Sequence, residues 1–175
     1  MEVRGQRSPG ARALTAGVRS APLDGVDDTY ELLLGEWHVQ RAITNRRWSC
    51  TAAFSGTATV AQRDPSDLDT AEYLEAGTLR IGAHRGAAQR RLRYVRQDDG
   101  TVIVTFPDGR TFLRCDLRSG WGSATHLCGD DRYDVTWRLH TRGVLVEEWQ
   151  VRGPRKDYVA STVLRRLRRD GRHAA

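Results

Sequence analysis

Residues 27–60, DDTYELLLGEWHVQRAITNRRWSCTAAFSGTATV, carry the change of period that decides the fold. Asp27 or Asp28 is placed to cap a short helix of two turns, with Leu32 and Leu33 turned inward and Gly35 as the stop. Beyond Gly35 the spacing of apolar residues drops from near 3.6 to 2. Trp37, Val39, Arg41 and Ile43 share one face of a first strand. Cys50, Ala52, Phe54, Gly56, Ala58 and Val60 share one face of a second.

The same alternation runs almost to the end of the chain. Tyr73, Glu75, Gly77, Leu79 and Ile81 follow, then Leu92 with Tyr94, then Val102, Val104 and Phe106. A PDG turn at 107–109 leads into TFLRCDL as a hairpin partner. Later strands end in THLC, carry Tyr133, Val135, Trp137 and Leu139 on one face, read VLVEEWQV, and run from Tyr158 through Leu167. Asp98-Asp99-Gly100, Gly129-Asp130, Arg142-Gly143 and Gly153-Pro154 punctuate them. Short turns and no crossover helix predict an all-β fold, a single up-and-down antiparallel β-barrel of about ten strands with a short N-terminal helix. Closure removes the exposed edges such a sheet would otherwise present. A two-sheet sandwich is the alternative. The small inward residues of the second strand favour the barrel, because they leave room for a cavity or a bend.

At 175 residues the chain has length for one core. The expected organisation is a disordered arm over 1–26, a barrel domain over 27–169 and a flexible tail over 170–175. The arm mixes Arg, Gly, Pro, Ala and Ser without period and cannot bury enough apolar surface to offset its ordering entropy. No apolar run approaches the roughly 20 residues of a membrane-spanning helix, and no secretory signal opens the chain, so a cytoplasmic protein is expected. The formal charge is +6, of which residues 1–26 supply +2 and residues 165–175 supply +4, leaving 27–164 neutral. Nucleic-acid binding, which asks for a basic face on the fold itself, is therefore not expected. Cys50, Cys115 and Cys128 form no CxxC pair and read as three reduced, mostly buried thiols rather than a disulfide framework or zinc ribbon.

Two sets of motifs carry a resemblance. LLLGEWHVQRAI is similar to the opening of lipocalin and nitrobindin-like barrels, in which the Trp plugs the floor. FSGTATV, EYLEAGTL, FPDGRTF, HLCGDDRYDV, EEWQVRGPRKDY and TVLRR, in that order, resemble a bacterial and fungal group, the domain of unknown function 6314 family, placed with calycin-like barrels. The resemblance covers residues 29–169 and implies a fold and a shared pocket architecture rather than a reaction. Where such proteins often carry a second His after DGR-x-F, this chain has Leu113, which disfavours a metal centre built on two His.

Several residues are candidates for chemistry. His126 and Cys128 point to one face of a strand, with Asp131 and Tyr133 across the Gly129 turn; three candidate ligands fall short of the four a closed zinc site needs. Arg155 and Lys156, in GPRKDY, are placed to bind a carboxylate or phosphate at the barrel mouth, or else to cover the Trp37 floor, with Asp157 paired to a base. Arg41 sits in phase with apolar residues and so needs a partner, Glu75 or Glu148, unless it holds an anionic ligand. Tyr94, Trp137 and Trp149 are aromatic at strand spacing, as core or as cavity wall.

The reading favoured is a barrel that binds a small, partly apolar, anionic organic ligand in its cavity. Trp37, Tyr94 and Trp137 supply the wall; Arg41, His126, Tyr133, Lys156 and Tyr158 supply polarity. Replacing Arg41 and Lys156 with Met is expected to abolish anion preference and leave the fold intact. The rival from another class is a small-metabolite enzyme with His126 as general base and Tyr133 or Tyr158 as acid. A haem-binding barrel needs an axial His, and His140 and His173 read as exposed. No cofactor and no metal are expected, and the partner is a small molecule rather than nucleic acid or membrane.

Overall fold

The structure, a computed structural model, describes residues 26–167; the expected arm, apart from Val26, the tail over 170–175 and His173 lie outside them. Asp28 caps α1 (Thr29–Leu33), its carboxylate accepting from the backbone N–H groups of Tyr30 and Glu31. Gly35, at φ +121°, turns the chain out of the helix into a strand, a conformation that favours glycine.

Ten strands follow: β1 (Gly35–Asn45), β2 (Cys50–Gln62), β3 (Thr70–Ile81), β4 (His84–Arg96), β5 (Val102–Thr105), β6 (Thr111–Cys115), β7 (Trp121–Cys128), β8 (Asp131–Thr141), β9 (Val144–Arg152) and β10 (Asp157–Arg166). They hydrogen-bond in the order β6-β5-β4-β3-β2-β1-β10-β9-β8-β7, every pairing antiparallel. The first strand thus joins the last, and the sheet curls into a nearly closed up-and-down barrel whose seam lies between β6 and β7. The calycin-like expectation holds; the sandwich alternative does not.

Two features close the seam and the floor. Thr29 donates its N–H to Gly100 O (2.9 Å) and accepts from Leu117 N–H on its hydroxyl (3.0 Å), pinning α1 to two loops at one end. Phe112 of β6 and His126 of β7 meet edge to face across the seam, centroids 4.9 Å apart. Trp37 is the floor, 1% exposed, with its indole N–H donated to Leu33 O at 3.0 Å. The cation covering it is Arg166, 4.3 Å from the ring and directly opposite in the β1–β10 register. Arg166 also donates to the carbonyls of Leu34, at 2.6 Å, and Leu32 at the end of α1. The expected alternatives, Arg155 and Lys156, follow β9 and stand at the opposite end of the barrel.

Within the run of small inward residues of the second strand, Gly56 of β2 pairs with Gly77 of β3. A Cβ on Gly56 would stand 2.2 Å from Ala76 O, and one on Gly77 would strike the Phe54 ring at 2.8 Å. Of the three thiols only Cys115 is buried; Cys50 is half-buried and Cys128, at the last residue of a strand, is exposed, so the expectation of mostly buried thiols is corrected.

Candidate functional site

Inward residues of the strands leave two neighbouring spaces inside the barrel. Next to the Trp37 floor is a cavity of about 40 Å³, walled among others by Trp37, Tyr73, Tyr94, Cys115, Trp137 and Glu147. Above it, at the open end, is a groove of about 330 Å³ lined by Arg41, Ile43, Phe106, Tyr133, Tyr158 and Ala160 among others. Arg90, Leu92, Phe112 and Trp149 belong to both walls. Phe112 and Trp149 stack nearly parallel, centroids 5.6 Å apart and planes at 8°, and so form the partition between the two spaces. The lower cavity has room for about three water molecules; the groove reaches the size of a small-ligand site, about 300 Å³ or more.

A network of charges crosses the barrel at this partition. Arg41 forms a fork with Glu75, at 2.9 and 2.7 Å, and donates through Nε to the Thr162 hydroxyl at 2.9 Å. The Tyr73 hydroxyl donates to Glu75 Oε2 at 2.6 Å. Arg90 lies over the Tyr73 ring and reaches Glu75 Oε2 and the Tyr73 oxygen, both at 3.3 Å. Its Nε is buried with no hydrogen-bond partner. Glu147 accepts from two indoles, Trp137 Nε1 at 3.2 Å and Trp149 Nε1 at 2.5 Å.

Electrostatics follow from this geometry. Burial works against the Glu75 charge, but the hydrogen bonds from Arg41 and the charge of Arg90 outweigh it and hold the carboxyl at about 2. Burial raises the Tyr73 and Tyr94 hydroxyls and the Cys115 thiol above their ordinary ranges, so all three stay protonated at neutral pH. The Cys115 thiol is thereby an unreactive wall group rather than a nucleophile.

The eight residues singled out from the sequence separate by position. Trp37, Tyr94 and Trp137 line the lower cavity, and Arg41, Tyr133 and Tyr158 line the groove. His126 belongs to neither wall; its ring packs against Phe106, Phe112 and Tyr133 at the seam. Lys156 sits at the rim, paired with Asp131 at 2.6 Å and hydrogen-bonded to the Tyr133 hydroxyl. Arg41 takes Glu75, one of its two expected partners, while Glu148 lies on the outer face beside Thr136; one pairing expectation changes, since the acid paired with a base at the rim is Asp131, not Asp157. His140 lies in that same outer depression, and neither interior space has a histidine in its wall. Among the described residues no group of three or more His, Cys, Asp or Glu is placed to hold a metal ion, and no helix is long and apolar enough to cross a membrane.

Arg90, Glu147 and Phe112 are the site residues that the sequence reading passed over. Two of them were accessible by period, and Phe112 was not. Arg90 is in phase with Leu92 and Tyr94, Glu147 with Trp149, and Phe112 is two residues from Arg114 on a strand too short to establish a face by alternation.

With that geometry in place, the family model for the family of unknown function DUF6314 matches residues 33–166, nearly all of the barrel. The chain belongs to the DUF6314 family. No protein of curated function matches its sequence. Among solved structures, the DUF6314 barrel is similar to the S-type phycobiliprotein lyase CPES from Guillardia theta, with a TM-score of 0.61 at 10% identity over 82% of this chain and 93% of that one. A redesigned β-barrel bound to DFHBI aligns with a TM-score of 0.40 at 14% identity, over 78% of this chain and 97% of that one. A DUF3598-family protein of unknown function from Nostoc punctiforme aligns with a TM-score of 0.39 at 14% identity, over 84% of this chain and 51% of that one. The first of these likenesses identifies the fold and nothing further.

Proposed function

We propose that this DUF6314 barrel binds a small, partly apolar organic ligand with an acidic group, held in the groove above the Phe112–Trp149 partition. The observation that carries the reading is the contrast between the two inward arginines. Arg41 is consumed by its fork to Glu75 and by Thr162, whereas Arg90 makes only two long contacts and has a buried Nε with no partner. A buried guanidinium donor without an acceptor is costly, and an acidic ligand group in the groove would supply one. Phe106, Phe112 and Trp149 give the apolar body of the ligand its contact surface, with Tyr133 and Tyr158 as polar groups at the mouth.

This assigns the anion to Arg90 in place of Arg41 and Lys156, both already paired. The expectation that Arg41→Met leaves the fold intact changes with it, since that variant strips Glu75 of its principal partner. The test uses two fluorescent probes of similar shape, anionic 8-anilinonaphthalene-1-sulfonate and neutral N-phenyl-1-naphthylamine. Arg90→Met is expected to weaken the anionic probe at least tenfold, about 1.4 kcal/mol, and to leave the neutral one within about twofold of wild type. Equal loss of both probes, or no loss of either, would remove Arg90 as the anion anchor.

A further inference from the structure

The barrel body is neutral in sum, but its charge is sorted by end. The five hairpin turns after β1, β3, β5, β7 and β9 all emerge at the open mouth, and α1 with the remaining connections lies at the floor. Over the mouth segments, 44–51, 80–85, 104–112, 127–132 and 151–158, nine Arg and Lys stand against four Asp, a net +5. Over the floor segments, 26–36, 61–71, 95–103, 114–122, 140–145 and 165–167, seven Arg stand against ten Asp and Glu, a net −3. The ends also differ in pairing. At the floor Arg63, Arg96, Arg114 and Arg118 each hold a carboxylate. At the mouth Arg46, Arg47, Arg80, Arg85, Arg152 and Arg155 are exposed, and none has an ion-pair partner among the described residues. Arg80 faces Arg85 directly across the β3–β4 ladder, and Arg132 faces Arg152 across β8–β9. Like charges directly opposite each other repel, a cost that an external anionic surface relieves.

Large apolar side chains stand among these cations. Trp48 is 67% exposed in the turn after β1, Ile81 48% at the end of β3 and Leu127 67% near the end of β7. The three other exposed large hydrophobics among the described residues, Leu68, Trp121 and Leu167, lie at the acidic end. Cations mixed with an indole and aliphatic tips at one end match the interface of an anionic bilayer, where Arg meets headgroup phosphates and Trp settles at headgroup level. A nucleic-acid or acidic protein surface would use the arginines but leave Ile81 and Leu127 without a contact.

We infer that the mouth of the barrel docks on anionic lipid membranes, with the exposed arginines around its rim against the headgroups and Trp48, Ile81 and Leu127 inserted between them. The groove then opens toward the lipid. The inference is independent of what the groove holds.

The experiment is vesicle flotation of the full chain with phosphatidylcholine alone and with phosphatidylcholine containing one-third phosphatidylglycerol. Binding is expected to the anionic vesicles only, and to weaken with salt. Each rim cation strengthens attachment about fivefold, so Arg80→Gln/Arg85→Gln is expected to lose about 25-fold. That variant also removes a repulsive pair, so its melting temperature should not fall, which separates docking from folding. Trp48→Ser/Leu127→Ser is expected to bind more weakly than wild type at equal charge. The basic residues of 1–25 and 168–175 stay in place throughout; binding that none of the rim variants changes is adsorption by those segments and overturns the inference. Loss in the arginine variant with none in Trp48→Ser/Leu127→Ser overturns it too, indicating a polyanion partner instead of a bilayer. So does absence of binding to the anionic vesicles.

Discussion

Glu75 is the residue on which the interior charges converge. One carboxylate, 3% exposed, accepts from two guanidinium groups and a phenol, so loss of its charge leaves Arg41 and Arg90 facing each other without a counter-charge between them. Glu75→Gln is expected to destabilise the fold by about 3 to 5 kcal/mol, measured by urea unfolding. The pH dependence has a definite direction. The folded carboxyl sits at about 2, below its ordinary value, so its contribution is complete above the unfolded pKa of about 4.3 and is lost as pH falls toward 2. Wild-type stability should drop by about 3 kcal/mol over that window, and the Gln variant should show a flatter curve there. Equal slopes would mean that other carboxylates dominate the acid response.

At the level of elements, β2 and β3 approach so closely at Gly56 and Gly77 that backbone atoms occupy the space of both missing side chains. Gly56→Ala should cost about 2 to 3 kcal/mol, seen as a lower melting temperature, because the obstacle is a carbonyl and not a movable side chain. A neutral substitution would mean that the strands can separate there without loss. Most elements were legible from alternation. The face of β1 bearing Trp37, Val39, Arg41 and Ile43 needed only period 2, as did the inward Tyr94 and Trp137. Extending that period two residues back from Leu92 reaches Arg90, and two back from Trp149 reaches Glu147. Charged residues interrupt the apolar pattern that makes a face recognisable, and the interior charges were missed for that reason. His126 was read as chemistry because imidazole beside a thiol suggests it; besides Tyr133 across its own hairpin, its ring contacts come from β6 and the β5–β6 turn, which no local pattern connects to β7.

For the whole molecule, the Phe112–Trp149 stack decides how much of the barrel a ligand can enter. Phe112→Ala would merge the lower cavity with the groove. The neutral naphthylamine probe should then bind more tightly while thermal stability falls by about 2 to 4 kcal/mol. A probe affinity unchanged from wild type would show that the stack does not bar entry. The period of 2, the turn residues and the motifs of the family by themselves determined an all-β antiparallel barrel with a short helix and an indole at its floor, because face alternation and turn chemistry are local properties. Only the tertiary structure decided that Arg166 covers that indole, that Glu75 takes Arg41 and leaves Arg90 under-partnered, and that the charges of a neutral body divide between its two ends. Those outcomes depend on which strands become neighbours when the sheet curls, and on alternate turns meeting at the same end of a closed barrel.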